Sequence, residues 1–285
     1  MKKLIYRKLT NYSLNKNNSF LRFSSYPYLS GDTLRNFAKY IYDETTKFDP
    51  KDVKENEIIF LKTDFIQEFF EEVEHNIKNK YFLITHNSDL EINKDNLPDI
   101  GENIIRWYAQ NLNFVSNEKI KPIPIGIENF RYLRSGLIKN FKNNKNIEKN
   151  DTIFSGFNIE TNKNERSKLL EISKNLDSIE VLEKSNLNEY LKTLSRNKFA
   201  LCPSGQGLDT HRVWESLIFD TVPILLKNNF SYNFQKIGIP LLLLDSWDNL
   251  EDISKDQLND IYRKIKGNQS LSKFCKFNYW IEINN

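Results

Sequence analysis

The sequence has few cysteines, no long apolar run and little excess charge, and each shortage excludes a class of protein. Two cysteines among 285 residues, Cys202 and Cys275, provide neither a disulfide framework nor metal-ligand spacing. The longest apolar stretch, residues 239–244, is far shorter than the roughly 20 residues of a transmembrane helix. We therefore expect a soluble protein of a reducing compartment, the cytoplasm.

The net charge is small because 41 lysines and arginines nearly balance 38 aspartates and glutamates. The basic residues are spread among asparagines and acids, so nucleic-acid binding is not expected. The basic N-terminus is followed by an apolar portion too short for a signal peptide and interrupted by Arg7 and Lys8. The remaining formal charge of +3 would still help to attract an anionic ligand.

What the sequence does contain is an alternation of strand and helix patterns in two halves. With 285 residues and 39% hydrophobic content, the chain is long enough for two domains with separate cores. In the first half, a strand at 57–62, a helix at 65–77 and a strand at 81–85 form a predicted βαβ unit. Further predicted elements are helices at 30–42 and 103–111 and a strand at 120–125.

Residues 139–150 have no apolar period and are rich in lysine and asparagine, so they are the predicted linker between domains 1–145 and 150–285. The second half again alternates strands and helices, which predicts two doubly wound, Rossmann-like α/β domains. The aromatic segment 273–283 is too apolar to be solvated. It is predicted to pack across the domains, returning to the first.

Residues 198–226, KFALCPSGQGLDTHRVWESLIFDTVPILL, carry the strongest functional signal. The pattern predicts a buried strand that Pro203 ends, a turn, a helix and a second buried strand. Gly205 and Gly207 would allow a ligand to approach the backbone, and Asp209 or Thr210 is expected to cap the helix. Uncapped N–H groups at such a helix start can face a diphosphate.

Arg212 and Glu215 lie three residues apart and so share one face of this helix. A guanidinium can clamp a diphosphate, and a carboxylate can accept hydrogen bonds from ribose hydroxyls. The same spacing also fits a surface ion pair worth about 0.2–0.5 kcal/mol, but the glycine turn favours the ligand site. The predicted donor-binding residues here are Ser204, Gly205, Gly207, Asp209, His211, Arg212 and Glu215.

These residues resemble the exostosin family of glycosyltransferases, whose C-terminal half carries F-x-L-x-P-x-G, a D-x-x-R-x-W-E-x-L helix and a proline-containing strand. The matching residues are Phe199, Leu201, Pro203, Gly205, Asp209, Arg212, Trp214, Glu215, Leu217 and Pro223. The resemblance implies a GT-B-type enzyme with two domains facing a cleft, the donor in the C-terminal domain and the acceptor in the N-terminal one. The family's glycine before the proline strand is missing, so Asp220 must make that turn in a left-handed conformation.

A second candidate donor loop follows the predicted strand that ends at Gly156. Ligands of such sheets bind beyond the carboxyl ends of the strands, so Asn158, Thr161, Asn162 and Arg166 are candidates for contact with the diphosphate or sugar. Loop and capping roles would explain the asparagines and the threonine equally well. Arg166 is the better candidate, because a basic residue early in a helix opposes the helix dipole.

An inverting transfer needs a general base for the acceptor hydroxyl, and the candidates follow strands of the first half. Asp89 and His86 lead, and His86 is equally well explained as a hydrogen-bonded loop residue. Asp64 is the third candidate, although a capping box explains it as well.

Trp107, Tyr108 and Asn87 are the candidate acceptor-binding residues, because aromatic rings beside amides can stack on and hydrogen bond to a sugar. Core packing is the alternative for Trp107, and Tyr108 could instead face solvent.

The sequence contains no recognisable metal-binding motif, since there is no D-x-D between strand residues and no His or Cys pair at ligand spacing. We therefore expect a metal-independent, inverting glycosyltransferase with no cofactor, which moves a sugar from a nucleotide donor, a UDP-sugar, to a glycan hydroxyl. Two alternatives remain open. One is a fucosyltransferase-like enzyme that uses a GDP-sugar, and the other is a non-catalytic glycan- or nucleotide-binding module.

Overall fold

The computed structural model describes residues 22–142, 144 and 148–282, and the chain divides into two compact units between Gly136 and Leu137. Each unit is built on its own five-stranded parallel sheet. The predicted α/β class with two parallel sheets is therefore confirmed. Within the described ranges, no helix is long and apolar enough to span a membrane.

The first unit begins with helix α1 (Gly31–Phe37), and the Ser30 hydroxyl caps it by accepting a hydrogen bond from the Thr33 N–H. The strands follow in chain order as β1 (Tyr40–Tyr42), β2 (Glu57–Lys62), β3 (Tyr81–His86), β4 (Ile104–Ala109) and β5 (Ile120–Pro122). Their order in the sheet is the same as their order in the chain. Each new strand is therefore added at the same edge, and the described strands of this sheet contain no reversal of order.

A helical run joins β2 to β3 and covers the sheet, as predicted for residues 65–77. It changes hydrogen-bond type along its length, from a 3-10 turn through the short helix α2 (Ile66–Glu68) to a π-helical stretch, Phe69–Val73, and a second 3-10 turn. Phe69 is buried there in the same core cluster as Leu83 and Trp107.

Of the helices predicted in the first unit, one is wrong and another is too long. Residues 103–111 form strand β4 rather than a helix, because Ile104, Trp107 and Ala109 are buried in the sheet, where β-branched and aromatic residues pack well. The helix predicted for residues 30–42 ends at Phe37. The chain then extends to pair β1 with β2.

The second unit alternates helices and strands, as the sequence predicts. In chain order they are α3 (Lys139–Lys142), β6 (Asn150–Ser155), α4 (Lys163–Asn175), β7 (Ile179–Val181), α5 (Leu187–Arg196), β8 (Asn197–Leu201), α6 (His211–Ile218), β9 (Val222–Leu226), α7 (Asn229–Lys236), β10 (Leu242–Leu244), α8 (Lys255–Lys266) and α9 (Phe277–Glu282). The strand order is β10-β9-β8-β6-β7. The order of addition therefore reverses between β6 and β8, which is the mark of a doubly wound sheet.

The predicted linker is in part a packed helix, and the division between the units lies before it. Within helix α3, Phe141 is completely buried, and its ring centroid lies 5.6 Å from that of Phe219. One apolar side chain among polar neighbours is too weak a signal to show a period, so the sequence did not reveal this contact. The predicted boundaries at 145 and 150 are accordingly too late in the chain.

The aromatic C-terminal segment packs against helix α6. The Cys275 thiol donates a hydrogen bond of 3.1 Å to the Trp214 carbonyl, and the rings of Trp280 and Trp214 meet edge to face at 5.9 Å. These contacts all lie within the second unit. The predicted return of the segment to the first domain stays a prediction.

Asp220 makes the turn before β9 in the left-handed region, with φ of 58°, and this prediction is confirmed. Its carboxylate explains why a residue other than glycine is found there. Oδ1 accepts hydrogen bonds from the Leu271 N–H at 2.6 Å and the Ser270 hydroxyl at 3.2 Å. The side chain thus ties the turn to the segment that leads into the C-terminal helix.

We expect Asp220→Ala to lower the free energy of unfolding by about 1–3 kcal/mol, because it leaves these donors unpaired and keeps the left-handed strain. Asp220→Gly should cost about 1 kcal/mol less, since glycine relieves that strain. Urea unfolding measures both, with the exposed Asp252→Ala as the control. Equal losses in all three variants would contradict this account of the turn.

Candidate functional site

Two loops meet at the reversal of strand order in the second unit. Residues 156–162 follow β6, and residues 202–210 follow β8. Ligands of open α/β sheets bind outside the carboxyl ends of the strands at such a point. Both loops predicted to bind the donor are therefore brought to the same place in the fold.

Arg166 ties the two loops together from the first turn of helix α4. Its Nη1 donates to the Asn158 carbonyl at 2.7 Å, and Nε and Nη2 donate to the carbonyls of Ser204 and Pro203 at 2.8 and 3.1 Å. A further hydrogen bond goes from Nη1 to the Thr161 hydroxyl. The side chain is buried, and it is used mainly to hold the loops rather than to face a ligand.

The other predicted residues of the β6 loop serve its local structure. Asn158 caps the 3-10 turn Ile159–Thr161, and Asn162 caps helix α4 by accepting a hydrogen bond from the Glu165 N–H. The Asn162 amide also donates to the Ser204 carbonyl at 3.3 Å, which adds a second tie between the loops. Both asparagines therefore act as capping residues, which is the alternative that the sequence left open.

Gly205 and Gly207 form a tight turn, in which the Gly205 N–H donates to the Gly207 carbonyl at 2.9 Å. A Cβ atom at Gly205 would lie 3.2 Å from Nη2 of Arg166. A side chain there would therefore press on the guanidinium that holds the loops. This close contact explains why the position is a glycine.

Asp209 fixes helix α6 from the position just before its N-cap residue. Both of its carboxylate oxygens accept hydrogen bonds from Nε1 of Trp214, at 2.9 and 3.0 Å, and the residue is buried. The N-cap residue is Thr210, whose side chain makes no capping hydrogen bond and whose hydroxyl is buried without a partner. The Thr210 side chain therefore does not neutralise the positive end of the α6 dipole, and the Asp209 carboxylate lies one residue before it.

Arg212, in the first turn of α6, is the cation best placed to meet an anion. Its Nε is buried without a hydrogen-bond partner, and it forms no ion pair with any carboxylate of the described residues. The Phe157 ring is close to two guanidiniums, with the Cζ atoms of Arg212 and Arg166 at 5.9 and 5.8 Å from its centroid. Burial and the nearby Arg212 charge lower the pKa of Arg166 to about 10. The crevice therefore holds two arginines, with the carboxylates of Glu165, Asp209 and Glu215 nearby.

Glu215 is buried and accepts a hydrogen bond of 2.9 Å from the Tyr190 hydroxyl of helix α5. The surface ion pair with Arg212 that the spacing also allowed does not form in the described structure. Burial, and next the Glu215 charge, raise the pKa of Tyr190 well above its ordinary value. Tyr190 was missed from the sequence, since nothing in the α5 pattern distinguishes it from a core residue.

A cavity of about 190 Å³ opens beside the β8 loop, at the carboxyl ends of β8 and β9. Burial raises the pKa of the Cys202 thiol in its wall to about 12, so that thiol is neutral. The lining residues are Glu165, Cys202, Ser204, Leu208, Leu225, Leu226, Lys227, Asn228 and Phe230. Of these, only Ser204 was among the predicted donor-binding residues.

In the first unit, the three predicted base residues lie in different surroundings. His86 is buried, its Nδ1 accepts the Asn87 N–H at 2.7 Å, and its Nε2 lies 3.0 Å from the Pro124 carbonyl, so both ring nitrogens are engaged. Asp64 accepts from the Ser88 hydroxyl at 3.1 Å and pairs with a lysine rather than capping a helix. Asp89 is exposed. The role of each as a base stays a prediction.

Two of the predicted acceptor-binding residues are buried in strand β4. Trp107 is completely buried and donates from Nε1 to the Thr85 hydroxyl at 2.8 Å, so it is a core residue and cannot stack on a sugar. Tyr108 is also buried, and its hydroxyl accepts from Arg106 at 3.4 Å. The reason is the strand conformation, because neighbouring strand residues point to opposite faces of the sheet and both faces are covered here.

Asn87, the third predicted acceptor residue, lies in the left-handed region with φ of 61° and belongs to a polar cluster that the sequence did not reveal. Its amide donates to Oδ1 of Asp32 at 3.4 Å, and its carbonyl oxygen accepts from the Asn129 amide at 3.0 Å. The cluster escaped prediction because its members come from separate segments of the chain.

No group of three or more His, Cys, Asp or Glu side chains that could hold a metal ion occurs in the ranges that the structure covers. No protein-family model and no curated protein matches the chain.

Two solved structures align remotely with this chain. The apo structure of OtsA aligns with a TM-score of 0.42 and 11% identity, over 81% of this chain and 72% of that chain. The pneumococcal O-GlcNAc transferase GtfA in complex with UDP and GlcNAc aligns with a TM-score of 0.33 and 14% identity, over 80% of this chain and 53% of that one. Likenesses this remote carry no argument about function.

We expect Arg166→Met to lower the free energy of unfolding by at least about 3 kcal/mol, because each buried carbonyl left unpaired costs about 1–3 kcal/mol. Lys168→Ala on the same helix removes only an exposed ion pair with Asp248 and should cost less than about 1 kcal/mol. Chemical unfolding of both variants makes the comparison. Similar losses in the two would show that Arg166 does not hold the loops.

Proposed function

We propose that this chain is a glycosyltransferase of the GT-B type, which transfers a sugar from a nucleoside diphosphate donor to a hydroxyl of a glycan. The observation that carries the proposal is the buried, unpartnered Nε of Arg212 in the first turn of helix α6, whose N-cap side chain makes no capping hydrogen bond. This helix begins where the strand order of the second sheet reverses. The match between this segment and the exostosin motif supports the same conclusion.

The diphosphate would meet the Arg212 guanidinium and the start of helix α6, as anions do at helix N-termini. Glu215, held by the Tyr190 hydroxyl, would accept hydrogen bonds from the ribose. Arg166 would act by positioning the loops, since most of its hydrogen bonds go to backbone carbonyls. As the donor's bond to the sugar breaks, the two positive charges would stabilise the negative charge that grows on the leaving diphosphate.

In this proposal the transfer inverts the anomeric centre and needs no metal ion. The base takes the proton of the acceptor hydroxyl while its oxygen attacks the anomeric carbon, and the diphosphate departs with the electrons of the broken bond. Among the predicted bases, Asp89 is the best candidate because it is exposed, whereas His86 has both ring nitrogens engaged. UDP is the proposed nucleotide, and GDP is the alternative.

One observation favours a second candidate function, a non-catalytic module that binds a nucleotide or a glycan. Both ring nitrogens of His86 are engaged, and Asp64 forms an ion pair. Two of the three predicted bases therefore have no obvious role in proton transfer. Binding without turnover, unchanged by Asp89→Ala, would support this reading.

The proposed function predicts that a nucleotide stabilises the protein against heat through Arg212. We expect UDP or a UDP-sugar to raise the Tm. At a free ligand concentration one hundred times the Kd, the free energy of unfolding should rise by about 2.7 kcal/mol. Arg212→Gln should abolish the shift, because its neutral amide cannot pair with a diphosphate. A thermal-shift screen with UDP, GDP, CMP and UDP-sugars measures this effect.

The matched control is Arg263→Gln, an exposed arginine of helix α8 that pairs only with its helix neighbour Asp260 in the described contacts. Its nucleotide-induced shift should equal that of the unchanged protein. A nucleotide shift that survives in Arg212→Gln, or the absence of any nucleotide shift in the unchanged protein, would count against the donor site.

A further inference from the structure

Lysines and acids are interspersed over most of the chain, but the first 31 residues are an exception. They contain six basic residues and no aspartate or glutamate. The basic residues are Lys2, Lys3, Arg7, Lys8, Lys16 and Arg22. Because the whole protein has a formal net charge of only +3, the residues that follow are net negative. Such asymmetry indicates that this end of the chain meets an anionic partner.

Residues 1–21, which we call the basic arm, also contain many apolar side chains. Nine of these residues are Met, Leu, Ile, Tyr or Phe, and they alternate with the basic ones, as in LIYRKL at 4–9. Leucine and isoleucine gain nothing at the phosphates of a nucleic acid. At a membrane surface they bury apolar area at the boundary between headgroups and acyl chains, while lysine and arginine attract anionic headgroups. The composition therefore favours a lipid surface.

The chain that follows the basic arm is fixed to the first unit by buried contacts. Arg22 and Arg131 are both buried, and the Nη1 atom of each lies 3.7 Å from Oδ1 of the buried Asp32. The Ser25 hydroxyl donates to the Gly136 carbonyl at 3.1 Å. Segment 22–26 therefore lies beside segment 129–136, and the basic arm joins the first unit at this pair of segments.

Exposed aromatic rings are concentrated on the same two segments. Phe23, Tyr26 and Tyr132 are 47%, 56% and 43% exposed, and they are three of the seven large apolar side chains that are exposed in the described ranges. The side chain of Arg134 is 70% exposed, and its ion pair with Glu128 is a loose one of 3.9 Å. Exposed apolar groups clustered in this way mark binding surfaces. We call Phe23, Tyr26, Tyr132 and Arg134 the aromatic face.

We propose that the basic arm and the aromatic face together bind the surface of a membrane that contains anionic phospholipids. The negative surface potential would attract the arm and Arg134. The exposed rings would enter the headgroup layer, where aromatic side chains with one polar end are favoured. This inference does not rest on the proposed function, since it concerns where the protein binds and not what it transfers.

The test is co-sedimentation of the full chain with vesicles of phosphatidylcholine, either alone or mixed with phosphatidylglycerol. We expect the mixed vesicles to bind the protein at least about tenfold more tightly than the neutral ones. Raising the ionic strength from about 0.1 M to about 1 M shortens the Debye length from about 10 Å to about 3 Å. Most of the protein should then be released.

The charge of the arm is tested by a variant that combines Lys2→Gln, Lys3→Gln, Arg7→Gln and Lys8→Gln. It should bind the mixed vesicles at least about tenfold more weakly, because it loses four charges near the surface. The matched control removes the same charge from exposed positions of the second unit and should leave the affinity unchanged. It combines Lys168→Gln, Lys174→Gln, Lys192→Gln and Lys236→Gln.

The rings are tested by Phe23→Ala and Tyr132→Ala, each of which should weaken binding to the mixed vesicles by about fivefold through loss of buried apolar area. Tyr232→Ala is the control, since it removes a tyrosine of similar exposure, 48%, from the second unit. All three residues are exposed, so the variants should fold. Thermal unfolding of each variant checks that it is folded at the temperature of the binding measurement.

Three results would overturn the inference. They are no binding to the mixed vesicles, equal binding to neutral and mixed vesicles, and equal losses in the arm variant and its control. A short single-stranded RNA serves as the competing probe. If it binds through the arm lysines while the vesicles do not bind, the partner is a nucleic acid and the inference is wrong. Stabilisation by nucleotides should be the same in the arm variant and the unchanged protein, so neither outcome bears on the donor site.

Discussion

The second unit depends on one guanidinium that joins two loops at the reversal of strand order. Arg166 donates to carbonyls on both sides, at Asn158 and at Pro203 and Ser204, and so fixes the separation of the loops where a ligand of this sheet would bind. Carbonyl oxygens accept these hydrogen bonds but do not cancel the charge. The guanidinium therefore keeps its charge in the crevice, where the nearby Glu165 carboxylate offsets part of it.

That arrangement explains the state of Arg212. A second arginine beside a buried one is costly, and within the described structure Arg212 forms no direct ion pair with a carboxylate. The Phe157 ring lies 5.8 and 5.9 Å from the two guanidinium carbons and stabilises both charges. Glu215, the nearest acid in sequence on the same helix face, is held by Tyr190 instead. Arg212 is thus left without an ion pair in the described structure, as the proposed donor site requires.

Much of the second unit could be predicted from its sequence, because short apolar runs and capped helices alternate there with clear boundaries. The left-handed Asp220 also followed from the residues, since a turn was required and no glycine was present. Strand β4 was missed because a run of apolar and aromatic residues fits a helix or a strand equally well by period.

The role of Arg166 could not be predicted, since its partners are backbone carbonyls far along the chain. The cluster around Asp32 likewise joins segments near residues 22, 32, 43, 87 and 131, and no local pattern connects them.

The measurement that tests the central claim most directly is hydrogen–deuterium exchange with and without saturating UDP. The account predicts slower exchange of the backbone amides in residues 156–162 and 202–215. Protection confined to other segments, with these two unchanged, would contradict it.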